Sequence, residues 1–403
     1  MIHDYPQCII EIGNFNLKCI IFKIDDNSLK ILSTSTYLSE GIHNGVIKNL
    51  VKASHAIRSC IGDAEKKAQV LLKNINVVVE QPEFLCTKLS KDRKINGSKI
   101  QKEDIEFLLR EAKKQVVLND KTQSIIHIFN HNYIVDGKTF IEEPVNVYAD
   151  HLSHEMTFVT APLNNIKNIH QAFSDCDIEV ERVISSTFAT AIELLNINQL
   201  QTGSSLINIE FEKTSIGLFK NLALIHSMTF PIGFNHIVKD ISKVCSLTIK
   251  ESESIKNKID LSLKNNEELF DNNNYLKSNF FNNSIFRKIS KSLLLNITKA
   301  RLDEIFKIVE KQINLSGFNS TCGRNIFLTS EGSNLQNLKS YCENFFKLNV
   351  NTKNNNKSEI DLNFLSCLGA SKIIKDGWET EALPKKISKY GKKTSFLAKI
   401  FGF

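Results

Sequence analysis

The sequence predicts an α/β protein made of two halves with the same order of elements, a small α+β unit inserted in the first half, and an amphipathic helix at the C-terminus. Three observations predict it. Two β-hairpin segments, 8–24 and 204–234, each open a run of strands and helices. Between them, 84–162 places one charged helix among several strands. At the end, SKYGKKTSFLAKIFGF (388–403) sets lysines beside an apolar stripe. With 403 residues, 42% hydrophobic and 24% charged, the chain can bury more than one core.

Residues 8–24, CIIEIGNFNLKCIIFKI, are two apolar β runs around a turn at Gly13 and Asn14, and a third strand follows at 30–37. A glycine-punctuated loop leads to a long helix with Ile47, Leu50, Val51, Ala56, Ile57 and Ile61 at helical spacing, and the strand NINVVVE (74–80) ends this block. The unit at 84–162 reads as a strand at 84–89, the helix KEDIEFLLREAKKQVV, and strands at 125–135, 140–149 and 155–160. A helix at 164–173, the strand IEVERVISS and a helix at 187–195 return to the first block.

The second half opens with three β runs in succession from Ser204 to Phe234. The segment 236–317 is helical at both ends, over IVKDISKVCSLTIKESESIKNKI and SIFRKISKSLLLNITKARLDEIFKIVEKQI, and the asparagine-rich stretch between them reads as a surface loop. The strand NIFLT (325–329), a helix at 335–346, a polar loop near 354 and a last helix at 361–375 complete the core. The resulting division is 1–83 with 163–200, the insert 84–162, 203–235 with 320–375, a helix-rich unit 236–319, a polar linker 376–390 and an amphipathic helix 391–403.

Net charge is +7, from 51 basic and 44 acidic residues, but the bases are dispersed and cluster only near the C-terminus. That pattern favours an anionic membrane surface over nucleic acid. In the terminal segment Phe396, Leu397, Ile400 and Phe401 form one stripe, flanked or preceded by Lys389, Lys392, Lys393 and Lys399. A transmembrane span needs about 20 apolar residues, so the segment can lie in the headgroup layer without crossing it. The same aromatics also fit a tail that packs back on the domain. Nine cysteines with no CxxC pair suggest buried thiols in a reducing cytoplasm, and no secretory leader pattern opens the chain. The ten histidines show no HExxH spacing. His127, His131, His151 and His154 fall in the insert, where solvated polar positions outweigh a metal pair. No catalytic residue and no metal site is assigned.

The order of elements is the one an actin-like, ribonuclease H-like fold requires. In actin-like ATPases the first hairpin turn carries an acidic residue and small polar residues facing the phosphates. Here it reads Glu11, Ile12, Gly13, Asn14, Phe15, with Phe15 where a small hydroxyl belongs. More specifically, HIFNHNYIVD (127–136) followed by EEPVNVYADHLSHEMTFVT, with Tyr133, Asp136, Pro144 and Val145, resembles the insert of the bacterial cell-division FtsA family. LSEGIHNGVI resembles that family's glycine loop before the first long helix, and PIGFNHIVKDI followed by ESIKNKI the start of its fourth subdomain. The resemblance runs over nearly the whole chain, tail included.

It implies a scaffold that anchors the tubulin-like division protein FtsZ to the cytoplasmic face of the inner membrane at the division site, self-associates into filaments and recruits later division proteins. The membrane contact would be Lys392, Lys393, Phe396, Leu397, Lys399, Ile400 and Phe401, and the FtsZ tail would meet Lys288, Lys291 and Arg301. A solvated basic face explains those three equally well. The resemblance also implies ATP as the family nucleotide, through Glu11, Gly13, Asn14, Asn208, Glu210, Lys213, Thr329 and Gly332. Yet where the family has a DIGGGT-like loop this chain has NIEFEK (208–213), and where it has TGG this chain has TSEGS (329–333). Carboxylates repel phosphate, and side chains replace the glycines that let a backbone nest approach it. Hydrolysis is not expected. An actin-like ATPase or sugar kinase and a pilus-assembly scaffold are the other readings; the altered loops argue against the first and the terminal segment against the second.

Overall fold

A computed structural model describes residues 5–25, 28–262, 267–330, 335–352 and 363–382. The expected membrane segment 391–403 and Gly332 lie outside the described residues. Two five-stranded sheets have one and the same order. The first runs β3-β2-β1-β6-β11, with β1 (Gln7–Ile12), β2 (Asn16–Asp25) and β3 (Ser28–Leu38) antiparallel and β6 (Asn74–Val79) and β11 (Glu179–Ser185) parallel to β1. The second runs β14-β13-β12-β15-β16, from β12 (Ser204–Ile209), β13 (Thr214–Lys220), β14 (Ala223–Phe230), β15 (Ile326–Thr329) and β16 (Val350–Thr352). The repeat expected from pattern is thus a repeat of topology, and the fold is actin-like.

β1 and β12 are buried along nearly their whole length because each is covered on both faces. Helix α1 (Leu50–Ala68) covers β2 and β3 and starts at Asn49, whose side chain accepts the Lys52 N–H at 3.0 Å. The last helix, Leu365–Asp376, packs on α4 (Ser186–Leu194), β1 and β2 of the first half. The crossing with α4 is so close that a Cβ at Gly369 would meet the Ala189 carbonyl oxygen at 1.7 Å, so only glycine fits.

The insert is an antiparallel sheet in the order β7-β10-β8-β9, from β7 (Leu85–Lys99), β8 (Gln123–Val135), β9 (Lys138–Phe140) and β10 (Tyr148–Pro162), with α2 (Lys102–Asn119) on one face. The strand expected at 140–149 is instead an irregular connection. Pro144 has no N–H to give a ladder, and Asn146 takes a φ of 69°. Three of the four insert histidines expected to be solvated are buried, His127, His131 and His154.

In the unit 236–319, α6 (Phe234–Cys245) and α7 (Ile249–Lys256) pack together, and α8 (Lys291–Ser316) lies across α6. α8 begins seven residues later than the sequence suggests, because Ser290 caps it and Ser284 is used elsewhere: its N–H and hydroxyl bond the Glu251 carboxylate at the start of α7. The asparagine-rich loop is anchored, not free, since Leu269, Phe270, Leu276 and Phe280 are buried.

Candidate functional site

The sheets of the two halves bring the β1–β2 turn and the β12–β13 turn close to each other, through Phe15 and Phe211. Glu11, at the end of β1, is 8% exposed, accepts a hydrogen bond from Ser186 Oγ at 3.0 Å and lies 3.5 Å from Lys18 Nζ. Gly13 is required by the turn, since a Cβ there would come within 2.4 Å of the Asn16 carbonyl oxygen. Asn14 donates to Asn44 Oδ1 at 2.8 Å. Phe15, 64% exposed, reaches across to Phe211 with ring centroids 6.2 Å apart, so two phenyl rings bridge the turns.

The second turn is lashed to α6. The Phe234 and Asn235 N–H groups donate to the carbonyls of Glu210 and Phe211 at 3.0 and 2.7 Å. The two glutamates of this turn have separate partners. Glu212 turns away and is bonded by Asn235 Nδ2, with Lys239 Nζ at 3.5 Å. Glu210 is held between Asn208, which donates to it at 3.0 Å, and Lys213, whose Nζ lies 3.6 Å away. Burial pushes the Glu210 carboxyl up, Lys213 pulls it down and Glu11 adds to the rise. Asn208 in turn accepts from Thr329 Oγ1 at 2.7 Å, which ties in the third expected loop.

Lys213 is the decisive residue. It is 2% exposed, and its ammonium donates to the Glu80 backbone carbonyl at 2.8 Å, joining the second half to the end of β6 in the first. The Glu80 carboxylate is itself a staple, accepting from Ser185 Oγ at 2.7 Å, from the Thr187 N–H at 2.9 Å and from Thr229 Oγ1 of the second half at 3.3 Å. Where a triphosphate would need converging N–H donors and net positive charge, the chain supplies three carboxylates and two ammonium groups: Lys18 lies beside Glu11, Lys213 beside Glu210, and the Glu80 carboxylate is held by hydroxyls and a backbone N–H. These residues do not fit a nucleoside triphosphate.

Glu80, Lys18, Ser186 and Thr229 escaped sequence reasoning. The available signal was the carboxylate ending the buried strand NINVVVE, because in open α/β sheets the strand ends face the site.

The expected partner residues are not a free basic face either. Arg301 forms a two-pronged bond to Asp240 of α6, at 2.7 and 2.9 Å, and also contacts Glu304. The hydrogen-bonded Asp240 raises its pKa further. Lys288 lies 5.5 Å over the Tyr275 ring, and Lys291 stands in the first turn of α8.

Two family models match this chain: "SHS2 domain inserted in FTSA" over residues 85–160 and "Cell division protein FtsA" over 206–369, together more than half of it. The chain belongs to the FtsA family. Its relatives in that family are distant: a cell division protein FtsA of Agrobacterium fabrum is 22% identical over 353 residues, covering 85% of this chain and 79% of the relative. That of Neisseria meningitidis is 23% identical over 346 residues (85% and 82%), and that of Buchnera aphidicola from Acyrthosiphon pisum 25% over 356 residues (85% and 82%). Among solved structures, a PilM-PilN type IV pilus biogenesis complex gives a TM-score of 0.59 at 11% identity, covering 90% of this chain and 96% of that one. MreB 5 of Spiroplasma citri bound to AMPPNP gives 0.51 at 12% identity, covering 92% and 96%. These likenesses show the actin-like fold alone. Within the FtsA family the chain is a divergent member, 22–25% identical to these relatives. No helix among the described residues is long and apolar enough to cross a membrane.

Proposed function

We propose that this FtsA-family chain is a division scaffold that does not hydrolyse ATP. Its role in cell division follows from the family. In this reading residues 391–403 bind the cytoplasmic face of the inner membrane as an interfacial helix, the unit 236–319 receives the FtsZ tail, the insert recruits later division proteins, and copies associate into filaments. The observation that supports a scaffold over an ATPase is Lys213, an internal cation seated on the Glu80 carbonyl and beside Glu210 in the place a phosphate-bound nucleotide would need. Because Arg301 is already paired with Asp240, an acidic tail would meet α8 through that pair rather than through an idle guanidinium.

The membrane part is tested by sedimenting the full chain with vesicles containing anionic lipid. Four apolar side chains at an interface, with lysines each contributing about 1 kcal/mol near an anionic surface, give modest affinity that falls with salt. Phe401→Glu puts a charge in the stripe and is expected to release the protein. Equal pelleting of wild type and Phe401→Glu would refute the membrane reading and favour a tail packed on the domain.

A further inference from the structure

The expected linker does not leave the body at Asp376. Trp378 Nε1 donates to the Leu222 carbonyl at 2.6 Å, and Thr380 Oγ1 donates to the same oxygen at 2.8 Å. The backbone then lies antiparallel to β8: the Asn130 N–H donates to the Thr380 carbonyl at 2.7 Å and the Ala382 N–H to the Ile128 carbonyl at 2.9 Å, with Phe129 opposite Glu381. This is the outer edge of β8, which farther along, at Tyr133–Val135, pairs with β9. An open strand edge is covered by the chain's own C-terminal segment.

The Glu381 side chain, 3% exposed, is a specific anchor. Its Oε1 meets His127 Nδ1 at 2.6 Å and also contacts Arg182 of β11. His127 Nε2 accepts the Ser185 N–H at 2.9 Å, which leaves the Nδ1 proton for Glu381. Burial pushes the Glu381 carboxyl up, but His127 and Arg182 outweigh it and hold it below the usual range. The Trp378 ring stands edge-on to Phe188 of α4 at 6.0 Å. One six-residue stretch therefore touches three units at once: the insert at β8, the first half at Arg182 and Phe188, and the second half at the β13–β14 turn.

We infer that Gly377–Ala382 is a clasp closing the junction of the insert with both halves, and that its release loosens all three there. Three amides distinguish a clasp from a passive tail. Asn130 N–H bonds the segment directly, whereas Ser185 N–H bonds His127 and Leu222 N–H bonds the Leu200 carbonyl.

The test is residue-resolved hydrogen exchange on the full-length chain at neutral pH, comparing wild type with Glu381→Ala and, as a milder change, Trp378→Phe, which keeps the ring and removes the donor. For Glu381→Ala the expected result is exchange at least tenfold faster at Asn130 and also at Ser185 and Leu222, with the amides of α1 unchanged. For Trp378→Phe a smaller rise, centred on Leu222, is expected. Acceleration confined to Asn130 and Ala382 in both variants would overturn the inference, since a passive tail gives that result.

Discussion

Lys213 and Glu210 show how much one residue can decide at this position. Lys213→Met leaves the Glu80 carbonyl without its ammonium donor and Glu210 without its cation. Breaking a buried pair by removing one partner costs about 3–5 kcal/mol, so a loss near the lower end is expected in urea unfolding. Adding Glu210→Gln should recover a large part of it, because two neutral groups leave no unpaired charge. A double variant no more stable than Lys213→Met alone would mean that Glu210 and Lys213 are not coupled. The same geometry sets the nucleotide expectation. Wild type should show no ATP turnover above background and at most weak, magnesium-insensitive binding, whereas glycine at Glu210, Phe211 and Glu212 removes two carboxylates and opens the backbone. Equilibrium dialysis with labelled ATP checks it: tighter binding by the triple-glycine variant is expected, and a steady-state hydrolysis rate in wild type that Glu11→Gln abolishes would contradict it.

Within single elements, buried histidines and paired arginines carry the testable weight. In the insert, His154 stacks on Tyr133 at 4.4 Å, and burial pushes it down to about 4; His131 goes to about 4 chiefly by burial as well, with Glu155 pulling the other way. Between about pH 6.5 and 4 the unfolded chain binds protons that the folded insert refuses, so stability falls as pH drops through that window, by up to about 3 kcal/mol for each histidine. Both ring nitrogens of His154 are buried without a hydrogen-bond partner. His154→Phe should therefore be neutral or stabilising at pH 7 and should flatten the acid limb of a stability–pH curve; an unchanged limb would rule out His154 as its source. On α8, Arg301→Glu faces Asp240 and Glu304 and should weaken both folding and FtsZ co-pelleting. Combining it with Asp240→Arg restores the ion pair in reverse. Recovered folding with FtsZ pelleting still lost would place the FtsZ contact at Arg301 itself, and recovery of both would make its role structural. Much at this scale was legible: both hairpins, α1, α2 and the glycine turn follow from period and turn chemistry. Other features were not. The docking of Trp378–Ala382 depends on pairing with β8, some 250 residues earlier in the chain, and a polar segment gives no periodicity for it. Likewise the burial of His127 follows from Glu381 and Ser185, which sequence distance hides.

For the molecule as a whole, two sheets of identical order and an insert make an actin-like body whose halves are joined by its own side chains. The candidate site was legible as a departure, since two carboxylates and a phenylalanine stood where glycines were expected and Phe15 where a small hydroxyl belongs. What the departure does was not legible, because it depends on Lys213 reaching Glu80 in the other half. A body held together from within should act as a scaffold regardless of nucleotide. The direct measurement is co-sedimentation of FtsZ with anionic vesicles carrying the full chain, with and without ATP and magnesium. The expected result is FtsZ recruited to the vesicles equally in both conditions, and lost with Phe401→Glu. Recruitment that appears only when ATP and magnesium are added would contradict it.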